Sequence, residues 1–135
     1  MRKFSKRSLN NLEGVHPKLR AVVEAALQKS EVDFTVVEGL RTYERQVQLK
    51  KDGFSKTLKS YHLKQSDGYG HAVDLYPYYN GSVQVEPDKE KWLMINKAMM
   101  ECAEELGVNL TWGGNWKSIV DQPHYQIEFN QKIEL

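Results

Sequence analysis

Between Asp88 and Leu106 the apolar side chains Trp92, Ile95, Met99, Cys102 and Leu106 recur at steps of three and four, and Gly107 follows as a natural stop. That spacing gathers them on one stripe of a single long helix, which must bury the stripe against other elements. A second helix opens at His16-Pro17 and runs through Leu19, Val22, Val23, Ala26 and Leu27, with proline in its favoured first turn. His16 itself reads as a surface or capping residue, and Cys102, on the apolar stripe, as core.

The rest of the chain alternates short strands with loops. Phe34-Thr35-Val36-Val37 is rich in β-branched residues and ends at Gly39, and Arg41 then begins a polar helix carrying Tyr43, Val47 and Leu49. Asp52 to Gly70 has no sustained period and reads as a long site-lining loop. His71 to Tyr76 alternates as a strand before the turn residues Tyr79-Asn80-Gly81-Ser82. Asn109 to Trp112 runs as a strand into Gly113-Gly114, and His124 to Glu128 forms the last one. Three helices and several short strands, without a βαβ alternation, predict an α+β class with a small antiparallel sheet flanked by helices, in one domain spanning residues 1–135.

Charge and cysteine usage exclude several functions. Nineteen Lys and Arg against eighteen Asp and Glu leave a formal net charge of +1, so the basic footprint that nucleic-acid binding requires is missing. Cys102 is the sole cysteine, which rules out an intramolecular disulfide. The basic start Met1-Arg2-Lys3-Phe4-Ser5-Lys6-Arg7 lacks the apolar run of a secretory signal, and no stretch approaches a membrane span. A monomer with no stable membrane association is the expectation.

The chemistry-bearing residues lie far apart in sequence. His62, Asp74 and His124 supply two imidazoles and a carboxylate, the donor set of a hydrolytic zinc that keeps one position open. His71 is the rival for the first position. On a strand, however, positions 71 and 74 face opposite sides, which favours His62. In the last strand His124, Gln126 and Glu128 share a face, so His124 points away from Tyr125 and Ile127, and Gln126 is a candidate substrate contact. Asp121, across a rigid proline from His124, is placed to act as a general base. Arg41 at the strand end is a candidate to stabilise an oxyanion or hold a carboxylate. Of Trp112 and Trp116, one is expected in the core and one at the cleft, with Trp112 the candidate substrate contact.

Gly39-Leu40-Arg41-Thr42, Ser60-x-His62, Gly70-x-Ala72-Val73-Asp74, Trp112-Gly113-Gly114-x-Trp116 and Asp121-x-x-His124 occur in order along nearly the whole chain. Together they resemble the zinc peptidases related to D-Ala-D-Ala carboxypeptidases, and most closely the bacteriophage endolysins that act as L-alanyl-D-glutamate endopeptidases. The interval from His62 to Asp74 is longer than that family commonly shows, implying an insertion around Leu63 to Asp67, and Asn115 stands where relatives often carry Asp.

The resemblance implies a D-Ala-D-Ala carboxypeptidase/hedgehog-like fold without a separate cell-wall-binding domain. It implies one zinc ion held by His62, Asp74 and His124, Asp121 as catalytic base and acid, Arg41 as substrate-stabilising group and Ser60 near the bound peptide. The implied substrate is the peptidoglycan stem peptide, cut between L-Ala and D-Glu. The implied setting is a host cell wall reached from the cytoplasm after membrane permeabilisation. A D-Ala-D-Ala carboxypeptidase or dipeptidase shares the same metal chemistry. A non-catalytic zinc-stabilised wall-binding or virion module is the reading from another class, and it has no use for Asp121 and Arg41.

Overall fold

The structure is a computed structural model that describes residues 1–55 and 57–129. Four helices, α1 (Lys6–Leu12), α2 (Pro17–Lys29), α3 (Tyr43–Lys51) and α4 (Lys89–Leu106), accompany strands β1 (Asp33–Glu38), β2 (Ala72–Tyr79), β3 (Ser82–Val83), β4 (Leu110–Trp112) and β5 (His124–Ile127). The sheet is antiparallel throughout, in the order β1-β2-β5-β4, and β3 adds to β2 as a hairpin. Among the described residues no helix is long and apolar enough to cross a membrane.

The alternation of β2 sorts its side chains onto two faces. Val73 and Leu75 are fully buried, and they join Phe34, Val36, Tyr125 and Ile127 beneath α2 and α4. The stripe of α4 packs as its spacing predicts at Trp92, Ile95, Met99 and Cys102, whereas Leu106 at its end is exposed. Pro17 occupies the first turn of α2, and the His16 ring caps it, Nδ1 accepting from the Lys18 amide at 3.0 Å.

Helix α1 was not legible in the hydrophobic pattern, because Leu12 is its one apolar core residue and hydrogen bonds tie it to β1. Ser8 Oγ accepts from the Val36 amide at 3.0 Å, and Asn11 Nδ2 donates to the Val36 and Val37 carbonyls at 2.9 and 3.1 Å. These bonds cover the outer edge of β1, whose backbone groups would otherwise offer a template for another strand. Helix α3 is the polar helix the sequence predicts, beginning at Tyr43. Its Tyr43 and Val47 are exposed, and Gln46 is its one buried residue.

The other face of the sheet carries the polar row. Asp74 pairs with His124 on β5 and with Glu38 on β1, so the three lie side by side across neighbouring strands. A register shift between Val36 and Glu38 sets Glu38, rather than Val37, opposite Asp74.

Candidate metal centre

Strand register alone brings Asp74 and His124 together, and their side chains meet with Nδ1 of His124 3.3 Å from Asp74 Oδ1. His62 arrives from the long loop between α3 and β2, its Nε2 3.2 Å from the same oxygen. The loop is held at both ends of this approach. His62 O accepts from the Arg41 amide at 2.7 Å, and the His62 amide donates to Ser60 Oγ at 3.1 Å. One ligand atom from each of the three residues lies within 4.8 Å of the others.

The outer ring nitrogens settle what the inner ones can do. His62 Nδ1 is 2.9 Å from the Gly39 carbonyl, and His124 Nε2 is 2.7 Å from Gln126 Oε1. Both partner atoms are carbonyl oxygens, so with the Gln126 amide in this orientation both outer nitrogens carry the proton, and in a neutral ring each inner nitrogen presents a lone pair. Two lone pairs and a carboxylate oxygen then face one another, an arrangement that repels itself unless a cation lies between. Tetrahedral zinc with ligand bonds near 2.0–2.2 Å separates its ligand atoms by about 3.4 Å, close to the two spacings seen here. The residues therefore fit a divalent metal of the zinc type.

With no metal between them, rings that carry a second proton take the cation's place beside Asp74. Burial alone would raise the Asp74 carboxyl, but hydrogen bonds and charge from His124 and His62 outweigh it and hold the group well below the usual carboxylate range. Burial opposes charge on His124, yet Asp74, Gln126 and Asp121 together raise it. Asp121 moves the other way from Asp74, raised by burial and then by the Asp74 charge. Two neighbouring carboxyls driven apart in this manner suit a permanent anion and a proton carrier.

Asp121 reaches the site through a tight turn. Its carbonyl accepts from the His124 amide at 3.1 Å, its own amide donates to Gly113 O at 3.0 Å, and its Oδ2 lies 3.9 Å from His124 Nδ1. Gly113 must lack a side chain there, since a Cβ would sit 2.3 Å from the Asp121 carbonyl oxygen.

Arg41 stands on the opposite wall. Its guanidinium is gripped by Glu38 and by Gln46 Oε1 at 2.7 Å, and it touches Ser60 Oγ at 3.5 Å. Its Nε is buried and, among the described residues, without a partner. Gln46 in turn donates to Ser55 Oγ at 3.0 Å and to Thr57 O at 2.8 Å, binding α3, Arg41 and the loop into one wall. Sequence pattern gave no hint of Gln46, because a glutamine on a polar helix carries no signature of burial.

A cavity of about 1020 Å³ opens over this row, lined by Arg41, Ser60, Tyr61, Trp116, Asp121 and Gln126 together with the His-Asp-His set. The structure places Trp116 at the cavity, 5.2 Å from the His124 ring, and Trp112 in the core, where it stacks on Tyr125 and donates to Gln122 O. Gln126 lines the cavity but its amide oxygen is taken by His124. His71 turns away from Asp74 and bonds Asp67 at 2.8 Å. The extra residues between His62 and Asp74 form a small turn of their own, closed by Gln65 N to Tyr69 O and by bridging between Lys64 and Gly70, so His62 still reaches Asp74.

The chain and its fold have known relatives. The chain is 35% identical over 122 residues to the L-alanyl-D-glutamate peptidase of Escherichia phage T5, covering 88% of this chain and 85% of that protein. It is 30% identical over 132 residues to the L-alanyl-D-glutamate peptidase of Listeria phage A118, covering 93% of this chain but 42% of that longer protein. The crystal structure of Serratia marcescens L-Ala D-Glu endopeptidase ChiX superposes with a TM-score of 0.82 at 40% identity, covering 96% of this chain and 92% of that one. The family model for phage L-alanyl-D-glutamate peptidase matches residues 1–133, and the chain belongs to that family.

Proposed function

We propose that this protein is a peptidoglycan hydrolase that holds one zinc ion through His62, Asp74 and His124 and cleaves the L-Ala-D-Glu bond of the stem peptide. The observation that carries the reading is the convergence of these three donors on the cavity floor, with their outer nitrogens already committed to acceptors. Zinc bound there supplies Lewis acidity and a water of lowered pKa.

The chain's own residues do the rest. Asp121, its carboxyl raised by burial and by Asp74, takes a proton from the attacking water and returns it to the leaving amine nitrogen. The water oxygen bonds to the carbonyl carbon as the carbon–nitrogen bond breaks. Arg41, fixed by Glu38 and Gln46, faces the cavity with a positive charge that suits a developing oxyanion or a substrate carboxylate. Ser60 shapes the turn that delivers His62, and Trp116 offers an aromatic wall for the peptide.

In this reading the chain works as one peptidase unit, a monomeric phage endolysin made in the host cytoplasm and acting on the wall after the membrane is breached. Digestion of purified muropeptides followed by mass spectrometry tests it. The expected products are glycan-linked L-Ala and a peptide beginning at D-Glu. Release of terminal D-Ala alone would assign a carboxypeptidase instead. Asp121→Ala is expected to retain zinc and lose cleavage by about 10²–10⁴-fold, the usual range for a general base.

A further inference from the structure

His62 and His124 are oriented by different means. The Gly39 carbonyl that holds His62 belongs to the backbone and can only accept. Gln126, which holds His124, ends in an amide that can turn over and present either oxygen or nitrogen. With nitrogen forward, the His124 proton would move to Nδ1 and the lone pair would leave the metal site. Something must keep the amide oxygen forward.

Glu128 does so. Its Oε2 lies 3.2 Å from Gln126 Nε2, and a carboxylate accepts only, so the amide nitrogen is drawn toward Glu128 and the oxygen toward His124. Glu128 is itself held by Thr111 Oγ1 at 3.3 Å, from β4. The period of two puts positions 124, 126 and 128 on one side of the β5 line, which lets one segment carry the whole series.

We propose that Gln126 and Glu128 are positioning residues forming a relay that fixes the His124 tautomer and so presents Nδ1 to the metal. The proposal rests on the zinc reading above, and it assigns Gln126 to the metal centre rather than to the substrate. Outer partners of this sort commonly govern metal affinity by about 10–100-fold.

The test measures zinc affinity of the full chain by competition with a chelator. Gln126→Leu is expected to weaken binding by about 10–100-fold. Glu128→Gln, which touches no ligand, is expected to weaken it by about fivefold, the equivalent of one neutral hydrogen bond. The exchange Gln126→Glu with Glu128→Gln should restore affinity to near wild type, because a carboxylate at position 126 accepts from His124 in either rotation. In metal-free protein at a pH where the ring is neutral, nitrogen NMR should show the Nε2–H tautomer of His124 in wild type and a mixture in Glu128→Gln. Unchanged affinity and tautomer in Glu128→Gln, or no recovery in the exchanged pair, would overturn the relay. If Gln126→Leu fails to fold, the two near-isosteric variants still decide. Wild type that binds no zinc would defeat the zinc reading alone, and the tautomer measurement would still judge the relay.

Discussion

The Gly39 carbonyl accepts the Nδ1 proton of His62 at 2.9 Å, so a backbone group at the end of β1 sets the orientation of a ring that comes from a loop beyond α3. Gly39 has no freedom to change. A Cβ there would lie 1.8 Å from the Asn11 carbonyl oxygen, which is backbone of α1 and cannot swing aside. Gly39→Ala is therefore expected to displace α1 or the Gly39 carbonyl, costing about 1–3 kcal/mol of stability as overpacking does. Denaturant titration and a zinc-affinity measurement should both register the change.

Gln46 joins Arg41 to Ser55 and Thr57 while almost wholly buried. Gln46→Leu keeps similar bulk but takes from Arg41 one of the groups that grip it and from Thr57 O the buried Nε2 donor, a loss of about 1–3 kcal/mol. Because Arg41 then loses its fixed position, catalytic efficiency on stem peptide should fall while zinc binding stays near wild type.

Metal removal should be visible in the fold as well as in activity. Three segments far apart in sequence meet at one point, so a ligand bound only by the folded state stabilises it by mass action. At zinc one hundredfold above its dissociation constant the gain is about 2.7 kcal/mol. A chelator should lower the thermal midpoint accordingly, and Asp74→Asn should remove most of that response.

His16, Asp67 and His71 form a second polar cluster that pins the turn before β2, with His71 bonded to Asp67 at 2.8 Å and His16 at 3.7 Å from it. His16 is lowered from its ordinary value of 6.5, first by burial. Its Nδ1 must also stay unprotonated to cap α2. A depressed folded-state pKa means the contribution is present above 6.5 and declines as pH falls below it, because the unfolded chain takes up the proton first. Burial would raise Asp67, but the His71 hydrogen bond and the Tyr69 amide outweigh it and lower it, so its contribution is lost further down, below 3.8. His16→Asn, which preserves a capping acceptor, should flatten the stability profile between pH 7 and 5 in thermal melts compared with wild type.

Ser8→Ala would leave the buried Val36 amide of the edge strand without an acceptor. The expected cost is about 1–3 kcal/mol, measurable by denaturation. With the β1 edge loosened, the variant should also aggregate more readily on heating, as light scattering would detect.

Periodicity was sufficient for α2, α4 and the strands because their apolar residues face the core in regular steps, and the same period of two separated Asp74 from Val73 and Leu75. It was silent on α1 and on how α3 is anchored, where Ser8, Asn11 and Gln46 make hydrogen bonds that leave no apolar pattern. Parity favoured His62 over His71, and His71, just before β2, bonds Asp67 instead of facing Asp74. Which tryptophan meets the cavity was not legible, because Trp112 and Trp116 flank the same glycine pair and only the 3₁₀ turn at Gly113–Asn115 sends one inward and the other to the cleft.

By itself the sequence determined the donor types, the order of α2, α3, α4 and the longer strands, and the family, since these depend on residue chemistry and local spacing. Only the tertiary structure decided that Glu38, Asp74 and His124 stand in one cross-strand row, that the outer nitrogens of the two imidazoles meet Gly39 O and Gln126 Oε1, and that Gln46 bonds Arg41. Those relations depend on strand register and on hydrogen bonds between segments distant along the chain, and neither quantity is encoded in the local period of side-chain polarity.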